Sequence, residues 1–313
     1  MKKTVSIILS LLLLASFVGC GKKDDKSAVN IYGIAGPTGV GLVNLINNDG
    51  NYNFKIAASN DEIVAKISNK EADIAAVATN LAASLYNKTN GGVKVLAVNT
   101  LGVLNLVTKG EKIESVADLK GKTVYSVGQG ANPEYIFKSI LKSNSLNPEK
   151  DVKIKFVSQP AELLPKILAN KKAIAVAPQP VATAITVKDK DARIALDFNT
   201  EWNKFNKTKL VMGAVVVRKE FAEKNPETVE KFMNDYKASI EKVNADTEKT
   251  AKLCEQYGII TPAAIAQKAI PYCNIVFENG DNMKTDLSAY LKFLYDANQK
   301  SIGGKLPEND FYY

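Results

Sequence analysis

The groups that could handle a ligand are backbone N–H groups and neutral side chains at the starts of helix-like runs. Gly36-Pro37-Thr38-Gly39-Val40-Gly41 follows an apolar strand-like stretch and opens a helical one. Exposed N–H groups at such a start favour an anionic or carbonyl group on a bound molecule. Gly128-Gln129-Gly130-Ala131-Asn132-Pro133 stands in the same relation to a later strand, and reads either as its counterpart or as a tight turn. Thr79-Asn80 and Gln179-Pro180 follow two further apolar runs. This is binding chemistry. The chain has no histidine, so the commonest general base and metal ligand is missing. A Ser-His-Asp or Cys-His nucleophile is excluded. Apart from Cys20, the cysteines are Cys254 and Cys273, without a CxxC pair, which argues against structural zinc. No catalytic residue, cofactor or metal is expected.

Two nucleotide-like patterns fail on inspection. Gly36–Gly41 is spaced GxxGxG rather than GxGxxG, and no acidic ribose partner follows at the right distance. Gly121-Lys122-Thr123 imitates the end of a P-loop, but Val116 stands where its first glycine is required, and the segment enters a strand.

The elements that must position these groups occur twice, at a register of 100. Glu62, Lys66, Ile67, Ile74, Ala75 and Ala82 recur as Glu162, Lys166, Ile167, Ile174, Ala175 and Ala182. Each copy reads as strand, polar loop, short helix, turn, apolar strand, then a second polar loop opening a helix. The loops are Ser59-Asn60 and Thr79-Asn80 in one copy, Gln159-Pro160 and Gln179-Pro180 in the other. An α/β unit present twice predicts two similar lobes. Ligands of open α/β sheets sit outside the carboxyl ends of the strands, where these loops lie.

Around the repeats the pattern predicts strands at Val29–Gly33, Lys94–Asn99, Val103–Lys109, Thr123–Val127, Arg193–Leu196 and Leu210–Val217. Helices are expected at Val40–Asn47 and Glu134–Ser143, and from Lys219 onward, the last spanning about Asp286–Asn298. The expected fold is α/β: two lobes, each a mostly parallel sheet flanked by helices, joined by a two-strand hinge. The chain would form lobe one from 29–108 and 211–313, and lobe two from 109–210. Trp202 is the only tryptophan, beside the expected return crossing, and reads as a cleft-lining aromatic or a surface plug. Cys254 and Cys273 could pair, but their apolar surroundings favour two reduced core thiols. Phe311-Tyr312-Tyr313 reads as a docked tail.

The first residues address the chain to a membrane surface. Lys2-Lys3, an apolar run from Val5 to Val18, and Gly19-Cys20 form a charged n-region, a short h-region and a cut site. Phe17-Val18-Gly19-Cys20 resembles a bacterial lipobox, with Phe17 in place of the usual Leu. Residues 1–19 would be removed, Cys20 lipidated, and 20–28 would form a polar tether. Net charge is +8, and losing Lys2 and Lys3 leaves 8 − 2 = +6. The basic residues are nearly all lysines interleaved with Asp and Glu, a solvated surface rather than a nucleic-acid stripe.

Taken together, the segments KKTVSIILSLLLLASFVGC, GPTGVGLVNL, NKEADIAAVATNLAASLYNKT, ADLKGKTVY, ANPEYIFKSILK, APQPVATA, MGAVVVRKEFAEKNPETVEKF and IPYCNIVF resemble one family. It is the nitrate/sulfonate/taurine/thiamine-precursor branch of ABC-transporter solute-binding proteins, and within it Firmicutes lipoproteins. The resemblance implies a type II periplasmic-binding-protein-like fold that closes on a small molecule and delivers it to a permease and ATPase. It implies a monomer, lipid-anchored on the extracytoplasmic face of a Gram-positive cell. The cleft-lining positions it implies are Gly36, Pro37, Thr38, Gly39, Thr79, Asn80, Gln129, Gly130, Ala131, Asn132 and Gln179. Two other readings remain beside it: a receptor or adhesin head without a transporter, and an enzyme on the same fold. The latter resembles a His-dependent chemistry that this chain cannot perform.

Overall fold

The computed structural model describes residues 28–46 and 51–313. The leader, Cys20 and the tether through residue 27 lie outside the described residues. The chain begins with β1 (Val29–Ile34), the single turn α1 (Pro37–Val40), β2 (Tyr52–Ala57), α2 (Asn60–Ser68), β3 (Ile74–Ala78), α3 (Thr79–Lys88) and β4 (Val93–Thr100). There follow β5 (Leu104–Lys109), β6 (Thr123–Ser126), α4 (Asn132–Ser143), β7 (Lys153–Phe156), α5 (Leu163–Leu168), β8 (Ala173–Pro178), α6 (Val181–Lys188) and β9 (Ala192–Asp197). The short α7 (Phe198–Asn203) leads to β10 (Gly213–Arg218). The C-terminal part contains α8 (Lys219–Lys224), α9 (Pro226–Ala245), α10 (Thr247–Gln256), α11 (Ala263–Ala269), β11 (Ile275–Glu278) and α12 (Gly280–Ala297).

The repeat has a local physical cause. Glu62 reaches back to the backbone N–H of Ala58 (2.8 Å), while Ser59 accepts from Glu62 N–H (3.2 Å). Glu162 reaches back to the N–H of Gln159 (2.9 Å) in the second copy. Each glutamate closes the start of its helix as a capping box does. Ile63 and Ile67, and Leu163 and Ile167, are buried one helical turn apart.

The strands form two sheets, ordered β11-β4-β10-β3-β1-β2 and β7-β6-β8-β5-β9. Read from the opposite end, β2-β1-β3-β10-β4 matches β7-β6-β8-β5-β9 strand for strand. In each, three strands run parallel, and the fourth, β10 or β5, runs antiparallel to both its neighbours. The sheets are therefore mixed, because each antiparallel strand arrives by crossing from the other lobe.

Several expected boundaries move. β5 pairs with β8 and β9 of the second sheet, so the first crossing lies at residues 101–103 and not near Lys109. The helix expected at Val40–Asn47 is one turn at Pro37–Val40, followed by three-residue turns such as Leu45 N to Leu42 O. Gly39 and Gly41 cost helix stability there. Within the C-terminal helical region, Ile275–Glu278 is a strand pairing with β4. Val95 lies beyond that pairing and meets Tyr312 instead. Tyr313 N–H donates to Val95 O (3.0 Å), and Phe311 is fully buried against Tyr86.

Helices cover both faces of each sheet. Val215 and Val217 face a core with Phe232, Tyr236 and Ile270, while Ala214 and Val216 face one containing Tyr290, Leu291 and Phe311. This alternation along β10 is what a strand buried on both faces requires. Cys254 and Cys273 are separate, buried thiols in the first of these cores. Among the described residues, no helix is long and apolar enough to cross a membrane.

Candidate functional site

The carboxyl ends of β1, β3, β6 and β8 carry the four segments singled out by sequence. Gly36 has φ = 103°, a region that favours glycine, and its N–H donates to Ile259 O (2.8 Å). A Cβ on Gly39 would lie 2.4 Å from Ile34 O, so the α1 turn folds back on its own strand only with glycine there. Buried Asn99 fixes this turn from below: its Nδ2 reaches Thr38 O and the Tyr236 hydroxyl, both at 3.0 Å. Burial pushes the Tyr236 phenol pKa upward, so it stays a neutral hydrogen-bonding group.

At the end of β3, Thr79 is fully buried and its hydroxyl donates to Val211 O (2.9 Å). Thr79 thus ties α3 to the segment entering β10, and Asn80 is the half-buried side chain of the pair. Its Oδ1 accepts from Asn132 Nδ2 of the second lobe (3.3 Å). The two asparagines begin α3 and α4, so helix starts of opposite lobes meet. Asn132 Oδ1 and the hydroxyl of Tyr290, on α12, are both buried and near each other, without a hydrogen bond of ordinary geometry between them. Gly128 and Gly130 turn the chain into α4 with φ near 70° (70° and 71°). Gln129 is exposed and Ala131 half-buried.

Gln179 and Trp202 have other employment. Gln179 Nε2 donates to Asn105 Oδ1 (2.8 Å), and its Oε1 accepts from Thr183 Oγ1 (2.7 Å). Asn105 Nδ2 continues to Asp197 Oδ2 (3.2 Å). Gln179 therefore knits β8 to the crossing strands, rather than standing free over the cleft. Trp202 is 3% exposed, which rules out a surface plug. Its indole N–H donates to Thr208 O (2.9 Å), and its ring meets Phe293 edge-on at 4.9 Å. It is a core aromatic joining α7 to α12.

Sequence reasoning missed Asn99, Asn105 and Tyr290, and also Tyr135 on α4, whose hydroxyl accepts from Asn298 Nδ2 at the end of α12 (2.9 Å). The first two were open to notice, because a lone Asn inside an apolar strand must find a buried partner. The others join lobes through contacts distant in sequence, which no local pattern records.

The arginines lie away from these loops. Gly213 pairs with Ala78, at the end of β10 next to the α3 start, and Arg218 lies five residues on, about 17 Å along the strand. It donates to Asp73 Oδ1 (2.7 Å) and Ala72 O (2.9 Å). Arg193 pairs with Thr108 on β5 and donates to Ile113 O (2.7 Å). A pocket of about 360 Å³ near Arg218 and a groove of about 610 Å³ between α6, β9 and the end of α11 contain none of the candidate loop residues.

Comparison with known proteins gives the arrangement a context. An ABC transporter protein from Parabacteroides distasonis has a TM-score of 0.79 at 24% identity, covering 92% of this chain and 99% of that one. The periplasmic aliphatic sulphonate binding protein of Escherichia coli has a TM-score of 0.69 at 13% identity, covering 91% and 96%. The periplasmic nitrate-binding protein of Synechocystis PCC 6803 has a TM-score of 0.60 at 13% identity, covering 88% and 82%. At these identities the likeness establishes the fold, the two-lobed type II periplasmic-binding-protein architecture. No match was found among curated protein sequences. Residues 49–269 match the family described as "ABC transporter, phosphonate, periplasmic substrate-binding protein". The chain belongs to this family of periplasmic substrate-binding proteins of ABC transporters.

Proposed function

We propose that this chain is a lipid-anchored receptor, held at the outer face of the membrane through Cys20. It captures a compact organic molecule of modest charge between its lobes and hands it to a permease and ATPase. The observation that carries the ligand reading is the meeting of Asn80 and Asn132, which begin helices of opposite lobes. Gly36–Gly39 and Gln129–Ala131, at the carboxyl ends of β1 and β6, would supply the other binding positions. Neutral amides and helix N-termini would meet any negative charge on the ligand. Planar guanidinium recognition is not supported, because both arginines are engaged elsewhere, Arg218 by Asp73 and Arg193 by Ile113 O. The family description names phosphonates, and two of the fold neighbours named above are described as binding aliphatic sulphonate and nitrate. A thermal-shift screen of the mature chain against phosphonates, sulfonates, nitrate, amino acids and pyrimidines tests the reading. A saturable shift with one class, confirmed by calorimetry, supports it. No shift with any compound in the panel refutes a small-ligand receptor of this chemistry.

A further inference from the structure

The loop from Gly128 to Asn132 is tied to the opposite lobe through a chain of hydrogen bonds. Asn298, at the end of α12, caps the following turn: its Oδ1 accepts from Lys300 N–H (3.1 Å). Its Nδ2 points the other way and donates to the hydroxyl of Tyr135 on α4 (2.9 Å). That hydroxyl donates in turn to Gly130 O (2.6 Å), while Gly130 N–H donates to Glu134 Oε2 (2.6 Å). Both backbone polar groups of Gly130, whose φ is 71°, are thus held by side chains of the helix that follows. A hydroxyl that accepts a hydrogen bond becomes a stronger donor, so Asn298 strengthens the hold of Tyr135 on Gly130. Asn80, Asn132 and Tyr290 lie on the same seam between the lobes.

We propose that Tyr135 is a positioning residue that reports lobe closure to the binding loop. When the lobes meet, Asn298 engages the Tyr135 hydroxyl, which fixes the Gly130 carbonyl and sets Gln129, Ala131 and Asn132 for the ligand. When they part, the hydroxyl loses its donor from lobe one, and the loop loosens. The seam thereby prolongs the bound state without touching the ligand. This rests on the cleft being the ligand site.

The test uses the mature full-length chain carrying Asn298→Asp or Tyr135→Phe. Aspartate keeps the cap on Lys300 N–H but cannot donate to Tyr135. Phenylalanine keeps the ring and removes both hydroxyl bonds. Amide exchange of residues 128–135 and the radius of gyration are measured without ligand, alongside Tm. The dissociation rate is measured with methylphosphonate as probe. Asn298→Asp should speed exchange at 128–132 about fivefold, as expected for one lost hydrogen bond. It should also enlarge the radius of gyration and speed methylphosphonate release, at unchanged Tm. The double variant should be no worse than Tyr135→Phe. Wild-type exchange and size in Asn298→Asp would overturn the proposal, as would protection lost evenly over both lobes with a fall in Tm. If methylphosphonate fails to bind the unaltered chain, the ligand class is wrong, while exchange and scattering still decide the seam.

Discussion

Replacing Arg218 by Gln separates a structural arginine from a ligand clamp. Its guanidinium and the Asp73 carboxylate are 13% and 10% exposed in their side chains, 2.7 Å apart. Asp73 Oδ2 also accepts from the N–H and Nδ2 of Asn30, at 3.0 and 3.3 Å. Arg218→Gln removes the cation and leaves a buried carboxylate with Asn30 alone. Breaking one side of a buried pair costs about 3–5 kcal/mol. The low end applies here, because Asn30 keeps two bonds to the carboxylate. At about 3 kcal/mol, Tm should fall by about 6–12 °C, given 2–4 °C per kcal/mol for chains somewhat smaller than this. Ligand affinity should not change, since Arg218 lies at the far end of β10 from Gly213 and Thr79. Urea titration gives the stability change, and calorimetry with the ligand found by screening gives the affinity. Arg193→Gln, which loses one bond to Ile113 O from an exposed side chain, should cost under about 1 kcal/mol and leave affinity alone. A tenfold or greater loss of affinity at unchanged Tm, in either variant, would refute this reasoning and restore an arginine-clamped anion.

Four further outcomes are expected. Asn80→Ala and Gln129→Ala should each weaken ligand binding by about 1–3 kcal/mol if a buried ligand atom loses its partner, measured by calorimetry; unchanged affinity in both would remove these loops from the site. Phe311→Ala should cost about 3–5 kcal/mol in urea titration, as for other fully buried Phe side chains. The neighbouring Tyr86 phenol is pushed up to about 12 by burial and its hydrogen bond to Asp310. A raised pKa stabilises below the unfolded value and is lost above it, so the tail should loosen as pH rises from the ordinary tyrosine range toward about 12; a flat alkaline stability profile would contradict this. Finally, Cys20→Ala should release the protein from the membrane fraction or leave it unprocessed, and incorporation of labelled fatty acid by that variant would sink the lipobox reading.

The sequence made the repeated half of the fold legible because the repeat is local. Glu62 and Glu162 close helix starts over three or four residues, and buried positions recur a turn apart, so a single window contains the whole signal. The crossings were harder to place. Val103–Lys109 reads as a strand in any sheet, and its assignment depends on pairing with Ala173–Pro178, some seventy residues later. Ile275–Glu278 is too short to override the helical pattern around it. The position of the four candidate loops at strand ends followed from the apolar runs and glycines before them, but the partners of the side chains within them did not. Thr79, Gln179 and Trp202 look like ligand groups in sequence because a polar or aromatic residue in a loop shows no partner there. In the fold, each finds one among residues of the crossing segments: Val211, Asn105 and Thr208.

The placement of β10 has a consequence for the order in which this molecule can be made. The second sheet uses only residues 104–197, one uninterrupted stretch. The first sheet has β10 in its interior, between β3 and β4. As the chain emerges from its N-terminus, β3 and β4 therefore wait with unpaired edges while the whole second sheet is threaded past them. Those edges are templates for pairing with another chain, and they close only when Gly213–Arg218 arrives. Even then β4 is not fully dressed, since the Val95 carbonyl accepts from the N–H of Tyr313, far later in the chain. A chain truncated after residue 197 would hold every strand of the second sheet and a first sheet split down its middle.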